Sequence, residues 1–166
     1  MLKKGHIVLL LVMVLVVSLI GCNNVKEDAV GETEEAPPVV DLASIKVTLE
    51  TAAQPIETGV MTPYVVSLAD EQGNPVEVDS VHFYMNMEMM NHPTQGTMQK
   101  MENGKYEVEL PLAMEGEWYT IITLTKGEES TEMKEFKVQA TGEKFMEYMK
   151  GYDADQPDAE QGKMHN

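Results

Sequence analysis

The chain has no arginine and only one cysteine among its 166 residues. Arginine meets phosphate with a planar, two-pronged donor set, so its absence beside 28 acidic residues argues against nucleic acid as a partner. The formal charge of −16 also argues against the polypeptide itself lying on an anionic lipid surface. One cysteine forms no internal disulfide, and Cys22 precedes the folded region, so a soft-metal site there must be built without thiolate. There is no glycine-rich phosphate loop, and the central region holds only two histidines, His82 and His92. Nothing suggests a Ser–His–acid arrangement, and the chain reads as a binding module, not an enzyme. No apolar run reaches the ~20 residues of a confident membrane span.

What the chain does have begins with "MLKKGHIVLLLVMVLVVSLIGCNN". Two lysines, an apolar run from Ile7 to Val17 and a small residue before Cys22 make a secretory leader over residues 1–21. Leu19-Ile20-Gly21-Cys22 resembles the lipobox of bacterial lipoproteins. That resemblance implies cleavage before Cys22, lipidation of its thiol (palmitate included), and a protein anchored on the extracytoplasmic face of the cell membrane. The other reading is an ordinary signal peptide or signal anchor with an incidental cysteine. Losing Lys3 and Lys4 with the leader takes the formal charge from −16 to −18. Such acidity serves solubility and repulsion from the membrane, or a field that gathers cations.

Residues 22–41 are polar, acidic and end near Pro37-Pro38, and read as a flexible tether. Residues 42–139 read as one domain with a period of two. Ile45, Val47 and Leu49 alternate with polar residues, as do Tyr64, Val66 and Leu68. Val81, Phe83, Met85, Met87 and Met89 make a longer alternating run, followed by a loop carrying Asn91, Pro93 and Gly96. Asn103-Gly104 marks a hairpin turn between Thr97–Met101 and Tyr106–Leu110. "GEWYTIITLT" reads as the central strand, with Trp118 at the middle of the core. Gly116 before it fits a position needing positive φ. Phe136 and Val138 point inward from the last strand. The reading is all-β, an immunoglobulin-like β-sandwich of about seven strands with turn signals about every 8 to 12 residues. Cupredoxin-like sandwiches give the same pattern. A short helix is expected over 140–150, with Phe145 and Met149 at i, i+4, and a disordered acidic tail over 151–166. The tail's Met164 and His165 carry no fixed geometry.

Methionine is in excess: 14 residues, seven of them between positions 85 and 114. Met85 shares the parity of Val81 and Phe83 and is expected in the core. Met89 and Met90 run into Asn91, His92 and Pro93, which puts thioether and imidazole at one end of the domain. Neutral thioether favours Cu(I) over the harder divalent ions. The competing reading is core packing or an adaptable Met-lined docking surface. Glu88, Glu102 and Glu115 read as solvated, and His82 as a surface residue.

"GNPVEVDSVHFYMNMEMMNHP" followed by "ENGKYEVELPLAMEGEWYTIITLT" resembles the YtkA-like domain family, related to FixH. The resemblance rests on Met87, Met90, His92 and Pro93; on Gly104 and Tyr106; and on Met114, Gly116 and Trp118. It implies an extracytoplasmic immunoglobulin-like sandwich that handles copper, with Met87, Met90, His92 and Met114 as ligands. It also implies a role in assembling copper-containing respiratory oxidases, with a membrane protein as partner. The extra Met85 and Met89 depart from the family pattern and leave the choice of ligands open.

Overall fold

A computed structural model describes residues 41–51 and 54–156 of the chain. The leader with Cys22, the tether up to residue 40, and Met164 and His165 lie outside the described residues.

Two sheets pack on one core. In the first, β1 (Lys46–Thr51) lies antiparallel to β3 (Thr62–Ala69), β3 to β7 (Lys105–Leu110), and β7 to the short β6 (Gln99–Lys100). The second is centred on β8 (Gly116–Lys126). On one side, β8 pairs with β4 (Ser80–Met87), which pairs in turn with β5 (Met90–Thr97), and β5 with β11 (Tyr152–Asp153). On its other side, β10 (Lys137–Thr141) takes residues 116–119 and β9 (Glu129–Met133) takes residues 122–126. The two-residue β2 (Ile56–Glu57) closes that edge by pairing parallel with β10.

The period of two is realised as expected. Tyr64, Val66 and Leu68 of β3 face Val81, Phe83 and Met85 of β4 and Trp118, Ile122 and Leu124 of β8 in one fully buried cluster. Met85 is a core residue. The Asn103-Gly104 turn has φ of +59° and +67°, the left-handed pair that an Asn-Gly hairpin needs. Gly104 also packs against the end of β3: a Cβ there would lie 2.8 Å from the carbonyl oxygens of Leu68 and Val76.

Four expectations change. The stretch 91–96, expected as a loop, is most of β5, because the chain reverses earlier, at Glu88-Met89. The helix expected over 140–150 is a single 3-10 turn, Met146–Tyr148. Gly142 (φ +126°) and Gly151 (φ +103°) bracket that stretch, leaving too few residues to offset helix nucleation. The first residues of the expected disordered tail, 151–156, are ordered as β11 and the turn after it. They hold because Asp155 accepts from the Thr97 N–H and hydroxyl, and Asp153 accepts from the Gln95 amide, satisfying donors along the β5 edge. The last strand, expected over residues 131–139, is divided into β9 and β10, each on its own half of β8.

Two buried tyrosines contrast. The Tyr106 hydroxyl donates to the Val78 carbonyl at 2.9 Å and accepts from the Val78 N–H at 2.8 Å. The Tyr64 hydroxyl, in the core against Phe83, has no hydrogen-bond partner, and burial pushes its pKa well above the ordinary phenol range. Tyr106→Phe is therefore expected to cost about 1–3 kcal/mol, since it strands both backbone groups of Val78. Tyr64→Phe is expected to be neutral or stabilising. Urea unfolding of the two variants checks this contrast.

Candidate functional site

The methionine-rich segment forms the tip of the β4–β5 hairpin. Met87 and Met90 are direct cross-strand partners, with Glu88 and Met89 as the turn. Neither turn residue has positive φ, so the turn is not of the type I′ that matches strand twist. The mismatch is taken up next to it. The register passes from Met85↔Thr94 to Met87↔Met90, so Asn86 stands opposite residues 91–93 and β5 bulges.

The Asn86 side chain holds that bulge. Its Oδ1 accepts from the N–H of Met87 at 2.8 Å and from the N–H of His92 at 3.0 Å. Its Nδ2 donates to the Tyr84 hydroxyl at 2.9 Å and reaches Asn91 Oδ1 at 3.4 Å. Pro93 fits the same bulge because it has no N–H to place in a ladder.

Around this tip the candidate ligands fall into two groups. Met87, Met89 and Met90 line one open hollow of about 310 Å³ together with Glu88 and Glu117. Met87 is half-buried and packs on the core, while Met90 is 45% and Met89 93% exposed. Met87 lies over Gly116, where φ is +129° and a Cβ would come within 2.7 Å of Met87 Cε. His92 and Met114 do not line this hollow.

His92 is joined to it through Asn86, whose Oδ1 binds the backbone of both Met87 and His92. The His92 ring points its Nδ1 at the Met149 carbonyl, 2.6 Å away. A carbonyl can only accept, so Nδ1 carries the proton and, in the neutral ring, Nε2 keeps its lone pair. Histidine ligands are commonly oriented through such a bond from the other ring nitrogen. Met114 sits in the loop between β7 and β8, half-buried, with its carbonyl accepting from the Trp118 indole at 3.2 Å. Beside that loop runs the 3-10 turn: Phe145 N–H bonds the Ala113 carbonyl at 2.7 Å, and the adjacent Met146 is 73% exposed.

The electrostatic setting is acidic. Glu117 pairs with Lys137 at 2.6 Å. Lys137 is held above the usual lysine range, first by that hydrogen bond, then by the charges of Glu117 and Glu88. Among the described residues, no group of three His, Cys, Asp or Glu side chains is placed to hold a metal ion. Any ion at this end would rely on thioether.

Sequence reasoning passed over Asn86, the Met149 carbonyl and Glu117. An asparagine on a strand of this apolarity was the one available signal for the bulge. The partnership with Met149, 57 residues away, had none.

These features define a small two-sheet β-domain with a thioether-rich rim. The family model described as YtkA-like matches residues 40–123, and the chain belongs to that family. The matched stretch ends inside β8, so β9, β10, the 3-10 turn and β11 lie beyond it. Among solved structures, the crystal structure of the Lin-41 filamin domain is similar at 17% identity, covering 59% of this chain and 92% of that one, with a TM-score of 0.41. Comparison with curated proteins gives no match.

Removing the Asn86 side chain should undo the bulge. Asn86→Ala is expected to destabilise the domain by about 1–3 kcal/mol, because it leaves the Met87 and His92 N–H groups without an acceptor. Hydrogen exchange should show those two amides losing protection while the Ile121 amide in the centre of β8 keeps its own.

Proposed function

We propose that this domain is an immunoglobulin-like, copper-binding module that holds Cu(I) at the β4–β5 tip and delivers it. In this reading Cys22 carries the lipid that anchors the chain on the extracytoplasmic face of the membrane. The recipient is a membrane protein, such as a copper-containing respiratory oxidase under assembly. The family membership supports the reading, and one observation carries it. Three methionines from a single hairpin line one open hollow, and His92, whose Nδ1 is committed to the Met149 carbonyl, follows Met90 by two residues on the same strand.

Thioether is soft and neutral, so the residues present fit Cu(I) and do not fit Zn²⁺, Ca²⁺ or Mg²⁺. Met87 and Met90 are the framework ligands, because their positions are paired across the hairpin. Met89, almost wholly exposed, is suited to catching and releasing the ion by ligand exchange. His92 supplies nitrogen from Nε2, and protons compete with the ion there. Met114, two residues before the Gly116 on which Met87 packs, does not line the hollow and is the outermost of the four candidates. An open site with neutral ligands releases its ion without having to take up a proton at each sulfur.

The second reading is a metal-free module that docks on a membrane complex. The exposure of Met89, Met90 and Met146 favours it, since methionine surfaces adapt to apolar partners.

Anaerobic Cu(I) titration against a competing chelator separates the two. Met87→Leu and Met90→Leu are each expected to lower affinity at least about tenfold while keeping apolar contact, and His92→Ala to lower it similarly. Wild-type affinity in all three variants would leave only the docking module.

A further inference from the structure

The hollow at the hairpin tip has a charged rim that the thioether ligands do not use. Glu88 and Glu117 line it together with Met87, Met89 and Met90. Glu117 is engaged by Lys137 of β10, Nζ to Oε1 at 2.6 Å. In the β8–β10 register Glu117 stands opposite Gln139 and Lys137 opposite Tyr119, so the pair is a diagonal across two strands at the mouth of the hollow.

From this juxtaposition we infer that Glu88 and Glu117 form a cation-attracting mouth to the thioether hollow, and that Lys137 is the built-in counter-charge that sets its strength. The inference rests on the thioether reading above. Thioether ligands bring no charge, so a univalent ion held by Met87, Met89 and Met90 is compensated only by carboxylates around it. An ammonium on Glu117 already satisfies part of that field. The ion and the Lys137 ammonium therefore compete for one potential, and Lys137 weakens binding that the sulfurs alone would make tighter. Glu88 belongs to the same field, since its charge and that of Glu117 both favour the charged form of Lys137. Lys137 acts through these carboxylates and touches no ligand sulfur in this account; it tunes the site and is not part of it.

Lys100, paired with Glu77 at 2.8 Å on the other sheet, is the matching control, because its removal changes net charge equally away from the hollow. The probe is silver(I) nitrate, a redox-inert soft univalent cation, titrated into the soluble domain by calorimetry at low ionic strength. Lys137→Gln is expected to bind Ag(I) about two- to fivefold more tightly than wild type, the scale of an exposed ion pair. Lys137→Arg should restore wild-type affinity, Glu117→Gln should weaken binding about two- to fivefold, and Lys100→Gln should match wild type. In about 1 M sodium perchlorate, where the screening length falls to about 3 Å, the differences should vanish. If Lys137→Gln binds like wild type, or Lys100→Gln gains as much, the mouth is no special field and the inference is overturned. If wild type binds no Ag(I), the thioether site itself falls and this inference falls with it.

Discussion

The arrangement at the candidate site depends on one buried carboxamide. Asn86 is the only β4 residue facing the three-residue swelling of β5, and its Oδ1 receives two backbone N–H groups that the irregular register would leave unpaired. Without such an acceptor the hairpin would have to close with a regular ladder. A regular ladder slipped by one residue turns every later side chain to the opposite face. Met90 and His92 owe their placement to this bond set and not to local propensity. The bulge also reconciles a turn of the wrong hand with the strand twist, so turn and bulge are two halves of one device.

How much of this was legible in the sequence follows from which interactions are periodic. Tyr64, Val66 and Leu68, or Val81, Phe83 and Met85, repeat every second position, and period two reports burial whatever the partner strand is. Asn103-Gly104 and Gly116 announce themselves because their backbone angles exclude most residues. The reversal at Glu88-Met89 has no such mark. Its residues keep negative φ, and the alternation of the sequence continues through Met89. The partners of His92 were illegible for a different reason. Its ring bond goes to a backbone carbonyl, which every residue carries, so no side-chain type at position 149 could have signalled it.

The segment after β10 illustrates how an acidic stretch becomes ordered. Composition alone suggested a solvated tail, yet Asp153 and Asp155 meet donors on the exposed edge of β5. A free edge invites pairing with other chains, and two carboxylates on it are both a cover and a repellent. The same segment supplies the Met149 carbonyl to His92. Covering the edge and orienting the imidazole are therefore one structural event, carried by residues beyond the stretch that the family model matches.

The chemistry proposed for the rim follows from what this chain has given up. A domain without thiolate can hold a soft ion only through neutral donors, thioether and imidazole, and neutral donors leave the ion's charge to be met elsewhere. On that proposal, the excess of carboxylates over ammonium groups would supply the charge that the neutral donors leave unmet. Separating the two tasks has a consequence for exchange. Ligand sulfurs can be swapped one at a time with a partner's, because none carries a charge that must be neutralised on leaving. In the proposed module, hold and release would be governed by the geometry of an open hairpin tip, where Met87 is packed against the core and Met89 is almost fully exposed. A gradient of burial along a single hairpin is thus a gradient of ligand mobility. The firm end is the one that Asn86 ties to the sheet.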